Sequence, residues 1–453
     1  MKAIVTATLL AIVLAFGSAS AQWQHMGVFP ADTTHDSYVH GIAVTPDGNV
    51  WIQPYSTYTR DSMYVASDQN KYVALRVLYV HQPNGQQAPF SPIRFVTIGG
   101  VTDTLGGFTS AAGAWTAKAG AGLRTDPDGN IIAIYRDMMY KIDYKTGEGI
   151  AKVQAADPTA TGANLTGVAP GVDSLGYVYW RSVGPGTPLK IYDNNLLLTG
   201  NALDTAFGYS RSIEVSKDGN VIYHAGYDKV YVGEYTYNPT SLTYEMTDTL
   251  LRGMVVESFS WHKQTGLLWV ASGSYNAPLP NSFPGTITNW DTAMWYGYNT
   301  ATKAVEDSLK WVFQVPRNVN ERPRGLAFSV SGDTAYAIVF GARNHPGVRW
   351  YTKIPTSVQP INDGVPSGFS LSQNYPNPFN PTTEIQFALA KTGYTTLKIY
   401  DLLGREVATI VNENLNAGSY KIGFNANNLA SGTYIYSLVS GDFRMNKKMI
   451  LVK

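Results

Sequence analysis

From residue 22 to about residue 354 the chain repeats one phrase: a short apolar run, a turn containing glycine, and a second apolar or aromatic run. Gly41-Ile42-Ala43-Val44-Thr45-Pro46-Asp47-Gly48-Asn49-Val50-Trp51-Ile52 carries it first. Gly122-Leu123-Arg124-Thr125-Asp126-Pro127-Asp128-Gly129-Asn130-Ile131-Ile132-Ala133 repeats it, and looser copies centre on Gly176, Gly219, Gly266 and Gly332. Asp-Gly between two apolar runs predicts a hairpin, because glycine takes positive φ without a Cβ clash. The turn glycines lie 81, 47, 43, 47 and 66 residues apart. Several of these intervals approach one four-stranded propeller blade, about 40–45 residues. Met139 to Tyr144 and Leu189 to Asp193 read as outer strands of such blades. A single blade cannot bury both its faces, whereas a ring of blades can. The pattern predicts an all-β chain with a six- or seven-bladed β-propeller over residues 22–354. The 81-residue interval leaves room for a seventh blade, and a double-sheet sandwich is the competing fold.

The pattern changes after residue 354. Residues 355–369, rich in Pro, Gly, Ser and Asp, read as a linker. Beyond them Glu384 to Leu389 and Thr396 to Tyr400 alternate polar and apolar, as half-buried strands do. Turns at Asp401-Leu402-Leu403-Gly404 and Ala417-Gly418 separate strands at intervals of about ten residues, which predicts a small immunoglobulin-like β-sandwich. Four separated motifs stand out: Tyr375-Pro376-Asn377-Pro378-Phe379-Asn380-Pro381, the Leu403-Gly404-Arg405 turn, Ser431-Gly432-Thr433, and a final Lys447-Lys448-Met449-Ile450. Together they resemble the type A C-terminal sorting domain of cargo proteins of the type IX secretion system in Bacteroidetes-like bacteria. The resemblance covers residues 370–453. It implies recognition by the outer-membrane translocon, followed by release or attachment at the cell surface.

The other end agrees with export. Lys2, the uncharged apolar run Ala3 to Phe16, and Ala19-Ser20-Ala21 have the three parts of a signal peptide, with cleavage after Ala21. The run is too short for a spanning helix, and no later segment is long and apolar enough, so the mature chain is expected to have no membrane span. A net charge of +1 over 453 residues argues against nucleic acid as a partner. The absence of cysteine removes disulfides, thiol catalysis and thiolate metal sites.

The hairpin phrase is similar to that of the sugar-lactonase and NHL-type propellers. Aligning the copies on their turn glycines places His40, Arg211 and Arg324 eight residues earlier, each before a small residue. That position starts the innermost strand, so these residues are expected to gather on one face of the ring. Arginine suits a bidentate grip on carboxylate or sulfate, and histidine can donate or titrate. Glu257 and His262 lie near the corresponding strand of the fifth copy. The five form a candidate ligand site, unless they cap strand ends or line a water-filled channel. Replacing His40, Arg211 and Arg324 together is expected to abolish binding and leave melting nearly unchanged.

Other patterns add less. Asp126-Pro127-Asp128-Gly129-Asn130 admits a calcium reading, but it lacks the spacing of a full binding loop and coincides with the hairpin. No metal or other cofactor is expected, calcium being the weak alternative. The cluster Trp290, Trp295, Tyr296 and Tyr298 suits either sugar stacking or core packing, the latter being the plainer reading. Asp followed by Ser or Thr and an apolar residue or Thr occurs nine times before the sorting domain. Residue frequencies give roughly two. The triplet is similar to the O-glycosylation acceptor of exported Bacteroidetes proteins, which implies modification at Thr33, Ser62, Thr104, Ser174, Thr205, Thr249, Thr292, Ser308 and Thr334. Turn chemistry is the alternative. No local catalytic string of the common hydrolase, metalloprotease or nucleotide-binding kinds is present. The reading is therefore a secreted or surface-displayed binder of a saccharide or surface polymer. A propeller enzyme of lactonase or polysaccharide lyase type and a structural surface-layer component are the alternatives.

Overall fold

The computed structural model describes residues 22–31, 39–55, 62–65, 71–111, 114–157, 162, 166–226, 228–272, 294–311, 322–340, 348–354, 359–362, 364–426 and 429–452. The signal-peptide reading therefore lies outside the described residues. The chain divides into two compact units, one of Trp23–Lys353 and one holding Ile354–Lys453. Among the described residues no helix is long and apolar enough to cross a membrane.

The first unit is a ring of six sheets. The innermost strands are Val39–Val44, Gly120–Thr125, Gly171–Val172, Ile213–Val215, Val256–His262 and Arg322–Phe328, and each neighbours the next around the axis. Each joins its second strand through the predicted turn. All six turn glycines have positive φ, for example +83° at Gly48 and +94° at Gly129, where a side chain would be strained. Six apolar clusters lie one between each adjacent pair of blades, which closes the ring. Trp51, Trp180 and Trp269, on second strands, fill three of them and are essentially inaccessible.

Two features go beyond the repeat. The last blade holds Arg322–Phe328, Thr334–Phe340 and Val348–Ile354, and its outermost strand is the N-terminal Gln22–Phe29. The N-terminal strand thus covers the edge of Val348–Ile354 and clasps the last blade. The 81-residue interval holds no seventh blade among the described residues. It holds the third strand of the first blade, Tyr79–His81, and the hairpins 62–65/71–74, 95–98/101–104 and 108–111/114–117.

The second unit is a sandwich of two four-stranded sheets. One runs Gln359–Asn362, Gly418–Asn425, Thr382–Leu389, Ser370–Leu371; the other runs Glu406–Leu415, Gly393–Tyr400, Gly432–Ser440, Phe443–Leu451. Residues 359–362, inside the stretch expected as a linker, pair with the strand Gly418–Asn425. Alternating inward residues, among them Ile385, Phe387, Leu397, Ile399, Tyr436 and Leu438, form the core.

Candidate functional site

The starts of the innermost strands are irregular in a consistent way. Register shifts make His40 the extra residue between Val39 and Gly41, and Ala121 the extra residue between Gly120 and Gly122. They leave Glu257 between Val256 and Ser258, and Arg324 with Gly325 between Pro323 and Leu326. A bulge turns an extra side chain away from the alternating pattern. In the third and fourth blades Ala169 and Arg211 stand just ahead of their strands, and Ala169 N donates to Arg211 O at 3.0 Å. All six positions line one cavity of about 20 Å3 on the ring axis. That is room for one or two water-sized atoms.

Small residues beside the bulges permit this convergence. A Cβ on Gly41 would stand 2.8 Å from Gln53 Oε1, and one on Gly122 would stand 2.4 Å from the Cβ of Ala169.

The cavity therefore brings together His40, Arg211, Glu257 and Arg324. Glu257 and Arg324 form an ion pair across the fifth and sixth blades, with both side chains buried. His262 is not part of the cavity. Its Nε2 donates to Gly332 O at 2.8 Å and its Nδ1 accepts from Thr265 N at 3.1 Å, which fixes a neutral tautomer between two hairpins. Burial pushes its pKa down.

Two charged residues of the channel escape the eight-residue rule. Arg124 crosses the axis: Nε donates to Glu214 Oε2 at 3.2 Å, Nη1 to Leu123 O at 3.0 Å, and Nη2 to Ser212 Oγ at 3.1 Å and Phe259 O at 2.5 Å. Burial raises the pKa of Glu214, and Arg124 opposes the shift. Both residues stand five before a turn glycine, Gly129 and Gly219. A charge at that register of an otherwise apolar strand is the signal that finds them. The channel thus carries three guanidinium groups and a histidine against two carboxylates.

The calcium-like loop is occupied differently. Lys141 Nζ lies 2.8 Å from Asp126 Oδ2, while Asn130 N donates to Asp126 Oδ1 at 2.8 Å. Among the described residues no group of three or more His, Asp or Glu is arranged to hold a metal ion. Trp295 and Tyr298 are buried in the blade cores, Tyr296 packs against one of them, and Trp290 lies outside the described residues.

Of the Asp-Ser/Thr triplets, Thr33 and Thr292 lie outside the described residues. Ser62 starts the strand Ser62–Val65. Ser174, Thr205 and Ser308 are exposed; Thr104, Thr249 and Thr334 are half-buried. Asp173 caps its turn by accepting from Leu175 N at 3.0 Å and Tyr177 N at 2.9 Å. Asp103, Asp248 and Asp307 stand instead on strands, Asp248 and Asp307 on the outermost strands of their blades.

In the sandwich the proline-rich motif is fastened to the last strand. Phe379 is buried; its N donates to Ile450 O at 2.9 Å and its O accepts from Val452 N at 2.9 Å. Asn377 Oδ1 accepts from Ile450 N at 2.9 Å, and Pro381 O accepts from Ala426 N at 2.9 Å. Tyr375 and Lys448 remain exposed and Lys447 is half-buried. Gly404 closes its turn with a φ of +77°.

Comparison with known proteins gives two kinds of result. Solved structures similar to the chain include PorZ, an essential bacterial surface component of the type-IX secretion system of Porphyromonas gingivalis. It is 11% identical, with 92% of this chain and 60% of PorZ covered and a TM-score of 0.37. This chain therefore spans about three fifths of PorZ. The calcium-binding protein regucalcin of Agrobacterium tumefaciens is 12% identical, with 74% and 95% covered and a TM-score of 0.42. A luciferin-regenerating enzyme is 13% identical, with 72% and 94% covered and a TM-score of 0.40. No curated protein sequence matches the chain. Residues 373–453, however, match the family described as the secretion system C-terminal sorting domain. The sandwich is therefore a type IX secretion C-terminal sorting domain, which indicates export across the outer membrane, to the cell surface or beyond.

Proposed function

We propose that the exported propeller is a non-catalytic binding module that grips acidic groups of a saccharide or surface polymer at the axial cavity. The observation that carries this reading is the convergence of bulged or pre-strand residues, His40, Arg211, Glu257 and Arg324, on one point of the axis. Arg324 pairs with Glu257, and Arg211 lines the same cavity from the fourth blade. The cavity admits a carboxylate or sulfate oxygen rather than a sugar ring, so the contact is to a group projecting from a chain.

The test is binding of polygalacturonate and of neutral dextran to the full chain. Polygalacturonate binds and dextran does not, and Arg211→Ala weakens binding about tenfold or more with melting unchanged. Equal binding of the two polymers, or binding indifferent to Arg211→Ala, overturns the reading. Degradation of polygalacturonate on overnight incubation replaces it with the enzymatic alternative.

O-glycosylation at the Asp-Ser/Thr triplets belongs to the same surface role. It is supported by the exposure of Ser174, Thr205 and Ser308. A native mass equal to that of the bare polypeptide removes it.

A further inference from the structure

The innermost strands end in a second, wider cavity of about 220 Å3, at the end opposite the bulges. It is lined by residues 42–46, 123–125, 260–261, 263–264 and 326–330, so the turn hairpins form its rim. Arg124 borders both cavities and separates them. Three features define what this second cavity can hold.

The walls are apolar: Val44, Leu123, Trp261 and Phe328 contribute to them. Trp261 is held in place, its indole Nε1 donating to Val215 O at 2.8 Å. The charges are of one sign. Arg124 lies on the floor and Lys263 on the rim, and no aspartate or glutamate is among the lining residues. Glu214 balances Arg124 from behind, and Lys263 has no ion-pair partner among the described residues. Four of the five N–H donors of Arg124 are committed to protein acceptors, and one on Nη1 has none among the described residues. The floor is thus a fixed guanidinium with a donor to spare. Finally, the volume falls below the roughly 300–1,000 Å3 of sites for drug-sized ligands, so the occupant is small.

We infer that this cavity is a binding site for a small amphipathic carboxylic acid, its apolar body against Trp261 and Phe328 and its carboxylate between Lys263 and Arg124. The site is separate from the axial cavity and requires no acidic polymer. A neutral sugar would leave the apolar walls uncovered and would make no use of the two cations.

The probe is 3-phenylpropionate, with 3-phenylpropanamide as its uncharged counterpart, and binding to the full chain is followed by ligand-observed NMR. The acid binds saturably below about 10 mM, and the amide binds more weakly. Lys263→Glu weakens binding of the acid about fivefold to tenfold, Lys263→Arg restores it, and Lys310→Glu, on an exposed outer strand, leaves it unchanged. Because Lys263 is exposed, its replacement leaves folding intact. Absence of saturable binding, equal affinity for acid and amide, or indifference to Lys263→Glu each overturns the proposal.

Discussion

Lys141 places its ammonium 2.8 Å from Asp126 Oδ2, where a loop of the sequence Asp-Pro-Asp-Gly-Asn invites a metal ion. The same ammonium donates to Asn194 O at 3.0 Å and to Asn194 Oδ1 at 2.6 Å, so it ties the second blade to the third. Adding a chelator should therefore leave the melting temperature unchanged. Lys141→Met should destabilise by about 3–5 kcal/mol, since it strands a buried carboxylate. A chelator-induced fall in Tm would contradict this assignment.

Gln53, fully buried, bridges the first two blades: its Nε2 donates to Ile134 O at 2.9 Å and its Oε1 accepts from Gly122 N at 2.8 Å. Gln53→Leu keeps the volume and orphans both backbone groups. The expected loss is about 2–4 kcal/mol, read from denaturant unfolding.

Arg324→Met alone should lower stability by about 3–5 kcal/mol, because Glu257 is left buried and charged. The double variant Arg324→Met with Glu257→Leu should recover most of it. With this pair buried, replacing His40, Arg211 and Arg324 together should lower the melting temperature, against the expectation from sequence that melting stays nearly unchanged. A functional test must use Arg211, which is less buried.

Trp23 in the N-terminal strand donates its indole N–H to Asp307 Oδ2 at 3.1 Å, and its ring meets that of Trp269 edge-on at 6.0 Å. Trp23→Ala should cost about 3–5 kcal/mol, measured by urea unfolding, and Trp23→Phe less. Equal losses would show that the indole N–H, not the ring, holds the strand.

Three histidines of the propeller are held neutral by burial. The pKa of His25 falls to about 4, with Arg349 adding to the effect, while His224 and His262 are also lowered. Each folded pKa lies below the unfolded value near 6.5. The unfolded chain therefore takes up protons first, and stability complete above about pH 6.5 is lost as pH falls towards 4. Tm should drop over that window, and His262→Gln should flatten the slope. A constant Tm would refute the linkage.

The sequence shows local structure well and closure poorly. Each Asp-Gly or related turn announces its hairpin because the requirement for positive φ is local, and the Gly99-Gly100 turn between Ile98 and Val101 obeys the same rule. Placing His40, Arg211 and Arg324 in one register needs only the repeat. Their small neighbours follow from the crowding at the axis. The role of His262 is not legible, since its partner Gly332 O belongs to the next blade. Nor is the pairing of the N-terminal strand with Val348–Ile354. That contact is set by the circumference of the finished ring, which no segment of the chain encodes alone.

The borrowed N-terminal strand also orders events in time. A chain made from its first residue onward holds Gln22–Phe29 without a partner until Val348–Ile354 exists, some three hundred residues later. Contacts of such separation form late and slowly. Five blades can assemble from neighbouring sequence, but the sixth waits for the end of the unit. The sixth blade is therefore completed by a single clasp, and a protease that removed those first residues would leave Val348–Ile354 as the bare outer edge of that blade.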